Sequence, residues 1–165
     1  MQASPAVSVR PAERADIDAI ARLADEAELF PGEMTAELMS PYLEAPDGNE
    51  VWLVASNEAG VIGFAYTVPE KLTAGTFNLL AMATSLTARG SGIGTALIAA
   101  TEQALVARSG RLLLVETSSQ PGFEPTRQFY QSRGFAEVAR IPDFWDDDDD
   151  KLVYRKDVRQ PASPR

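Results

Sequence analysis

The stretch Arg89-Gly90-Ser91-Gly92-Ile93-Gly94 is followed at once by an apolar run from Thr95 to Val106. Three glycines at alternate positions remove three β-carbons from one short turn, so the backbone can adopt positive φ and bring several N–H groups close to a ligand. The apolar run predicts a helix from about Gly92 to Ala107, whose N-terminus carries partial positive charge. Arg89 adds a cationic side chain. The stretch therefore predicts an anion-binding turn that suits a phosphate or pyrophosphate.

The glycine spacing excludes two common phosphate-binding motifs. A dinucleotide fingerprint, Gly-x-Gly-x-x-Gly, would need a glycine at Thr95 or Leu97, depending on its first glycine. A nucleoside-triphosphate loop needs a lysine directly after its last glycine, and none is present. What remains is Arg-x-x-Gly-x-Gly between a predicted strand and a predicted helix.

Composition limits the chemistry that the chain can perform. Its 165 residues are enough for one domain with a buried core. It has no cysteine and no histidine, so thiolate metal sites, cysteine nucleophiles and a histidine base are excluded and no metal site is predicted. The formal charge of −9 disfavours nucleic acid as a partner. No apolar run is long enough to span a membrane and no signal peptide is visible, which together favour a cytoplasmic protein.

Hydrophobic periodicity predicts alternating strands and helices, typical of a layered α/β or α+β sheet domain. Residues 1–165 are predicted to form one domain with its core at about 7–157, and residues 1–5 and 160–165 are predicted to be disordered tails. The predicted strands are Val7–Arg10, Val51–Ser56, Val61–Val68, Phe77–Thr84, Leu112–Thr117, Ala136–Ile141 and Leu152–Tyr154. The predicted helices are Pro11–Phe30, Glu33–Glu44, Gly92–Ala107 and Thr126–Arg133.

A second motif, Phe129-Tyr130-Gln131-Ser132-Arg133-Gly134-Phe135, lies about 35 residues after the glycine stretch. Together with Arg-x-x-Gly-x-Gly and the order of elements, it resembles the GNAT acyltransferase superfamily over roughly Val7 to Asp157. The resemblance implies an α/β (α+β) fold with a mixed, mostly antiparallel central sheet of about seven strands and about four flanking helices. It also implies acetyl-CoA as the acyl donor, with its pyrophosphate on the glycine turn.

The resemblance assigns roles to particular residues. In the family, two central strands splay apart and the pantetheine arm of the donor lies in the gap, bound largely by backbone groups. The residues implied to bind the donor are Met82, Ala83, Thr84, Arg89, Gly90, Ser91, Gly92, Ile93, Gly94 and Thr95. Tyr130 is implied to donate a hydrogen bond to the departing thiolate.

The acceptor is implied to be an amine, which is mostly protonated at neutral pH and so benefits from a base. Without histidine, a carboxylate acting directly or through water is the natural base. Glu116 is the first choice because it ends the apolar run Leu112–Val115, near where the splay should place the thioester. Glu33 and Glu70 are alternatives on segments that line acceptor sites in this fold.

Two positions depart from the family pattern. Leu86 stands where a proline is frequent, which affects the stiffness of the turn more than its chemistry. Phe123 stands seven positions before Tyr130, where related proteins often have asparagine, so any contact made by that asparagine is in doubt. Ser118 and Ser119 are possible substitutes.

The run Asp146-Asp147-Asp148-Asp149-Asp150-Lys151 is the other unusual feature, and Asp147 to Lys151 spells the cleavage site of enteropeptidase. One interpretation is a solvated loop of repelling charges inside the final hairpin. The other is that the run and the preceding Ile141–Trp145 line the acceptor site and attract cations. The sequence does not decide between them.

The predicted function is acetyl-CoA-dependent N-acetyl transfer to a primary amine of a small molecule or peptide, by direct attack in a ternary complex. A covalent intermediate is not predicted, because the chain has no cysteine and no serine–histidine pair. The alternative is an acyl-CoA-binding module that regulates without turnover. The strand edges of the C-terminal hairpin need covering, which favours a homodimer. The identity of the acceptor is not encoded in any recognisable motif.

Overall fold

The computed structural model describes residues 6–88 and 90–159. Within these ranges the chain forms seven strands and four α-helices, and the strands make one sheet with the order β1-β2-β3-β4-β5-β7-β6. Among the strand pairs with a known direction only β4–β5 is parallel, which confirms the predicted mostly antiparallel α/β fold. The tails at 1–5 and 160–165 lie outside the described residues. The elements are β1 (Ser8–Pro11), α1 (Ile17–Glu26), α2 (Thr35–Glu44), β2 (Val51–Asn57), β3 (Gly60–Pro69), β4 (Thr76–Thr84), α3 (Ile93–Val106), β5 (Leu112–Ser118), α4 (Glu124–Ser132), β6 (Ala136–Asp146) and β7 (Asp149–Asp157).

The chain divides into two compact units. Unit 1 comprises Met1–Val68 and Leu80–Ala104, and unit 2 comprises Pro69–Leu79 and Leu105–Arg165. Strand β4 and helix α3 each contribute residues to both units. The glycine turn belongs to unit 1, whereas the two sequence-predicted catalytic residues belong to unit 2.

The first helix of unit 1 is shorter than the predicted Pro11–Phe30. Pro11 ends β1, and a single 3-10 turn at Arg14–Asp16 precedes α1. The Asp16 carboxylate accepts the Glu13 N–H at 2.7 Å and a bidentate pair from Arg10 at 2.7 and 2.9 Å, which fixes the start of the helix. The Arg10 hydrogen bonds keep the pKa of Asp16 below its ordinary value. At the other end Glu28 has a φ of 54°, which no helix can continue.

The core of unit 1 is built around stacked aromatic rings. The ring of Trp52 stacks on Tyr66 at 3.9 Å and on Phe64 at 6.2 Å between centroids. Helices α1 and α2 cover these rings with apolar side chains, because their hydrophobic residues recur at helical spacing. The buried residues of this core are Ala12, Ile20, Leu23, Ala24, Met39, Tyr42, Trp52, Val54, Phe64, Tyr66, Ala81 and Ala83.

Gly63 lets helix α3 lie very close to strand β3. A β-carbon at this position would be 2.9 Å from Ile93 Cγ2, 3.1 Å from the carbonyl oxygen of Ala83 and 3.3 Å from Leu97 Cδ1. A glycine in the middle of a strand often marks such an approach. Gly63 therefore helps to set the position of the first turn of α3, which follows the glycine turn.

Strand β5 is the central strand of unit 2. Residues Leu112–Val115 pair in parallel with Thr76–Leu79 of β4, and the whole of β5 pairs antiparallel with β7. Leu113 and Val115 are buried, while Glu116 is half-buried on the opposite face because side chains alternate along a strand. This alternation and the register put Asn78, Glu116 and Lys151 on the same face of the sheet.

The acidic run is an ordered part of the final hairpin, so the first interpretation, a solvated loop of repelling charges over 146–150, is wrong. Asp146 ends β6, Asp149 and Asp150 begin β7, and only Asp147 and Asp148 form the turn. Asp148 has a φ of 61°, which aspartate tolerates better than most residues. Hydrogen bonds fasten this turn to the segment after β5: Ser118 Oγ to the Asp149 carboxylate, Ser119 N–H to the Asp150 carbonyl, Asp150 N–H to Ser119 Oγ, and Gln120 Nε2 to the Asp148 carbonyl.

Candidate active site

The glycine turn of unit 1 uses two of its three glycines for backbone conformation. Gly90 and Gly92 have φ values of 82° and 80°, in the region that strongly favours glycine. Gly94 lies inside α3 without a positive φ, so the expectation that all three glycines curl the turn is wrong. A β-carbon on Gly90 or Gly92 would meet nothing within 4 Å. Both positions therefore require glycine for its φ, and the backbone there is open to a ligand.

The N-terminus of α3 offers donors to such a ligand. The Gly92 carbonyl accepts the Ala96 N–H at 3.0 Å, so the helix begins at Ile93. The N–H groups of Ile93, Gly94 and Thr95 precede the first internal helix bond, and no described residue outside the helix supplies them with a backbone acceptor. Ser91 Oγ donates to the Ala88 carbonyl and ties the turn together. Arg89 lies outside the described residues.

The end of strand β4 has one core face and one accessible face. Ala81 and Ala83 are buried in the core of unit 1, whereas Met82 and Thr84 are half-buried and Leu80 is exposed. The parallel pairing with β5 involves only Thr76–Leu79, so Leu80–Thr84 lie beyond the paired segment. Of the three residues predicted to contact pantetheine, Met82 and Thr84 therefore present side chains, and Ala83 can contribute only its backbone.

Tyr130 of unit 2 is almost completely buried, with 8% of its surface exposed. Its ring lies 5.6 Å from those of Phe129 and Phe135, and Gly134, with a φ of 92°, lets the chain turn from α4 toward β6. Burial raises the pKa of the phenol to about 12. No hydrogen bond joins its hydroxyl to any described residue. Tyr130 is thus held as a neutral phenol whose hydroxyl has no hydrogen-bond partner among the described residues.

The second candidate catalytic residue, Glu116, belongs to a group of side chains that we call the carboxylate cluster: Glu70, Asn78, Glu116 and Lys151. Asn78 Nδ2 donates to Glu70 Oε1 at 3.0 Å and to Glu116 Oε1 at 3.1 Å. Lys151 Nζ lies 2.9 Å from Glu116 Oε2. The cluster brings together two of the three carboxylates that the sequence offers as a base. It carries two negative charges and one positive charge.

An aromatic ring holds the lysine of the cluster from the other side. Lys151 Nζ lies 4.2 Å from the centroid of the Phe144 ring, within the range of a cation–π contact. The Phe144 ring in turn makes an edge-to-face contact with Trp145, whose indole N–H donates to the Thr117 carbonyl at 3.4 Å. The predicted hairpin segment before the acidic run therefore orients Lys151.

The remaining predicted residues do not join the cluster. Glu33 is exposed in a single 3-10 turn of unit 1. Phe123, at the position where the family pattern has asparagine, is 46% exposed at the start of α4. Ser118 and Ser119 hold the acidic turn, and Ser118 Oγ also accepts the N–H of Gln120.

Sequence reasoning overlooked Asn78 and Gly63. Asn78 is a polar residue inside the apolar strand Phe77–Leu80, and Gly63 interrupts the apolar strand Val61–Val68. A buried amide in a strand needs hydrogen-bond partners and a strand glycine implies a close approach, so both signals were present in the sequence. Neither signal identifies the partner, which depends on register with distant strands.

Comparison with known proteins gives the family. The model of the acetyltransferase (GNAT) domain matches residues 48–137, more than half of the chain and including the whole of the glycine turn. The chain therefore belongs to the GNAT family of acetyltransferases. No curated protein matches it.

Solved structures of acetyltransferases share the fold over nearly the whole chain. A putative acetyltransferase of the GNAT family from Desulfovibrio desulfuricans is 29% identical, with a TM-score of 0.85 over 93% of this chain and 99% of that one. A putative acetyltransferase from Salmonella typhimurium, solved with its cofactor acetyl-CoA, is 16% identical, with a TM-score of 0.77 over 97% and 98%. An aminoglycoside 6'-N-acetyltransferase complexed with coenzyme A is 16% identical, with a TM-score of 0.78 over 95% and 99%.

None of the helices in the described part of the chain combines the length and the apolar character needed to cross a bilayer.

Proposed function

We propose that this protein transfers an acetyl group from acetyl-CoA to a primary amine of a small molecule or peptide. The observation that carries the proposal is the glycine turn of a GNAT-family chain. It has two glycines at positive φ and, at the N-terminus of α3, a row of N–H groups for which no described residue outside the helix supplies a backbone acceptor. Such a turn suits a pyrophosphate, because oriented N–H groups and the helix dipole both favour negative charge. Relatives solved with acetyl-CoA or coenzyme A support the choice of donor.

Unit 1 contains the residues that we assign to binding of the pyrophosphate and the pantetheine arm of acetyl-CoA. We propose that Arg89 and the turn from Gly90 to Thr95 hold the pyrophosphate, and that the accessible face of Met82 and Thr84, with the Ala83 backbone, lies along the pantetheine arm. The residues beyond the β4–β5 pairing have backbone groups that an extended ligand can bind as an added strand would.

We propose that Tyr130 stabilises the departing thiolate by a hydrogen bond. The acceptor nitrogen attacks the thioester carbonyl carbon, the C–S bond breaks and coenzyme A leaves. With a phenol pKa of about 12 and a thiol pKa near ~8.5, complete proton transfer from Tyr130 to the thiolate is uphill by about 5 kcal/mol. Donation without transfer is therefore the role that the buried, neutral phenol can perform.

The proton of the acceptor ammonium must go to a base. We propose that the carboxylate cluster provides it, with Glu116 as the residue that the sequence indicates first. Direct attack requires no covalent enzyme intermediate, and the chain has neither cysteine nor histidine to form one by the usual routes.

We further propose that both compact units belong to one acyltransferase domain, because β4 and α3 run through both. A cytoplasmic location remains part of the proposal. So does a homodimer formed along β6, an edge strand of the sheet whose residues are all exposed.

The decisive experiment measures thiol release from acetyl-CoA over a panel of amines, amino acids, polyamines and peptides. Transfer to at least one amine class is expected, with Arg89→Ala raising the KM for acetyl-CoA. Saturable binding of acetyl-CoA with no thiol release above background on any acceptor would instead identify a binding module without turnover.

A further inference from the structure

The carboxylate cluster treats its two glutamates differently. Both oxygens of Glu116 are engaged: Oε1 accepts from Asn78 and Oε2 pairs with Lys151. Glu70 is bound only through Oε1, and no described residue contacts its Oε2 by a hydrogen bond or ion pair. One carboxylate is therefore fixed at both ends, and the other keeps a free oxygen.

Asn78 is the link between the two carboxylates. An amide nitrogen has two hydrogens, and each is directed to a different glutamate. The two accepting oxygens therefore lie within about 6 Å of each other. The reverse orientation of the amide would place its oxygen against both carboxylates, so the network itself determines which atom is nitrogen.

The same amide leaves an acceptor without a partner. Asn78 is 3% exposed, and its Oδ1 receives no hydrogen bond within the described residues. A buried amide oxygen of this kind is rarely left unpaired in a protein. An ammonium group next to the cluster would bring N–H donors for the free oxygen of Glu70.

Lys151 balances the fixed carboxylate. Its side chain is 14% exposed and is held between Glu116 and the Phe144 ring. Protonation of Glu116 on either oxygen would remove the negative charge that attracts Lys151 and would therefore weaken this ion pair. Glu70 Oε2 can accept a proton with every contact of the cluster intact.

We propose that Glu70 is the base that receives the proton of the acceptor ammonium, and that Asn78, Glu116 and Lys151 are positioning residues. One proton moves from the acceptor ammonium to Glu70 Oε2, and the freed nitrogen lone pair attacks the acetyl carbon. As the C–S bond breaks, the second proton of the attacking nitrogen passes to the departing thiolate, so that the amide and the thiol form. Asn78 fixes the Glu70 side chain through Oε1, and the Lys151–Glu116 pair keeps Asn78 in place. This inference rests on the proposed acetyl transfer, and it replaces Glu116 by Glu70 as the base that deprotonates the acceptor.

The test compares Glu70→Gln and Glu116→Gln over pH 7 to 9.5 with an alkylamine acceptor. An alkylamine is about one part in 2,000 unprotonated at pH 7, and its free fraction rises about tenfold per pH unit. At high pH a much larger fraction of the amine is already unprotonated and needs no base, so the loss in kcat/KM caused by removing a base becomes small. The loss caused by removing a positioning contact does not depend on pH in this way. For Glu70→Gln the loss in kcat/KM is expected to fall from about 100-fold at pH 7 to under about 5-fold at pH 9.5. For Glu116→Gln the loss is expected to stay constant across the range.

Two further variants separate positioning from general damage to the fold. Lys151→Met is expected to lower kcat by a similar factor at every pH, and Lys151→Arg, which keeps the cation, is expected to recover most of it. Glu58→Gln, in the exposed turn between β2 and β3, is the matched control and should leave the pH profile unchanged. A pH-dependent loss in Glu116→Gln, or equal and parallel losses in both glutamate variants, would overturn the assignment.

A measurement without turnover distinguishes this inference from the proposed function. The two protons of the Asn78 side-chain amide are expected to give separate, slowly exchanging NMR signals, one moved by Glu70→Gln and the other by Glu116→Gln. If neither variant moves a signal, the bridge does not exist and the inference fails, whatever the activity. If the wild-type protein acetylates no amine while the amide signals behave as expected, the proposed function fails and the cluster stands without a catalytic role.

Discussion

The glycine turn of unit 1 and the carboxylate cluster of unit 2 are constructed in opposite ways. The turn consists of six consecutive residues, and its chemistry comes from backbone N–H groups and two positive φ angles. The cluster takes its side chains from three strands and one connecting segment, over positions 70 to 151. Under the proposed function the contrast separates two tasks: the turn binds the donor through local backbone and Arg89, whereas the acceptor proton is handled by side chains that the sheet brings together.

This contrast predicts that substitutions in unit 2 change mainly kcat and that substitutions at the glycine turn change mainly the KM for acetyl-CoA. The substitution with the largest expected effect is Tyr130→Phe, which removes only the phenolic hydroxyl. We expect kcat to fall about 100-fold with the KM for acetyl-CoA nearly unchanged, because the lost hydrogen bond acts on charge that develops in the transition state. Thiol-release kinetics at saturating acceptor measure both constants.

The pH dependence of kcat in the wild-type protein and in Tyr130→Phe provides a control for this comparison. Because the pKa of Tyr130 is raised to about 12, the wild-type enzyme should keep its Tyr130 contribution through pH 10. Folding holds this proton more tightly than the unfolded chain does, so the associated stability is complete below about pH 10 and is lost as the pH rises through about 12. Tyr154→Phe, in the neighbouring strand β7, should leave kcat within about threefold. A KM effect from Tyr130→Phe larger than its kcat effect would contradict the division between the units.

Gly63→Ala tests whether close packing under α3 supports the turn. The added methyl meets Ile93 Cγ2 at 2.9 Å and the Ala83 carbonyl at 3.1 Å, and overpacking of this kind destabilises proteins by about 2 kcal/mol. A thermal melt should show a lowered Tm, and the double variant with Ile93→Ala should show that the two changes are not additive. An unchanged Tm would mean that α3 is free to shift.

Gly92→Ala isolates the backbone conformation of the turn. Since no atom of the described residues lies within 4 Å of the new methyl, the penalty within the chain comes from the left-handed φ of 80°, about 1–2 kcal/mol for a residue with a β-carbon. We expect about a tenfold rise in the KM for acetyl-CoA and an unchanged kcat. Gly122→Ala, which also adds a methyl in open space but has no positive φ, is the matched control. Equal effects in the two variants would refute the backbone explanation.

The smallest expected effect concerns the acidic turn beside the cluster. The Asp143 N–H and the Arg140 guanidinium, in that order, keep the pKa of Asp150 below its ordinary value. Its contribution to stability is therefore present above the unfolded value near ~4 and is lost as the pH falls through the lower folded value. In a carboxyl NMR titration, Arg140→Gln should move the Asp150 midpoint upward but not fully to the ordinary value, because the Asp143 bond remains. No movement would mean that Arg140 does not bind Asp150 in solution.

The features predicted from sequence are those encoded over short distances. The glycine turn, the hairpin of β2 and β3, and the helix carrying Tyr130 each depend on neighbouring residues, and each is present. Both ends of the first helix differ from the prediction, because its start depends on the Asp16 carboxylate and its end on the left-handed φ of Glu28, and hydrophobic periodicity reports neither. The mostly antiparallel, seven-stranded sheet was implied by the resemblance to the family rather than by any local pattern.

The hydrogen-bond connections within the carboxylate cluster could not be predicted from the sequence. Glu116 and Glu70 were recognisable as candidates, but their connection through Asn78 depends on the register of β4 against β5, which no short stretch of sequence specifies. The interpretation of the acidic run as a solvated loop is wrong for the same reason, because its partners are distant in the sequence. Consecutive aspartates suggest a repelling loop, yet Ser118 and Ser119, about thirty positions earlier, supply the partners that make it a turn.

The position of Lys151 has a consequence for proteolysis. The enteropeptidase sequence from Asp147 to Lys151 lies in the final hairpin, and Lys151 is paired on one side with Ser118 and on the other with Ile141. The bond to be cut precedes Leu152, which is 4% exposed. A protease must bind this segment as a separated, extended strand, so cleavage requires β7 to leave both of its neighbours. The rate of cleavage after Lys151 therefore measures how often β7 separates from its neighbours. Treatment with enteropeptidase thus reports local unfolding at one end of the carboxylate cluster without any change to the sequence.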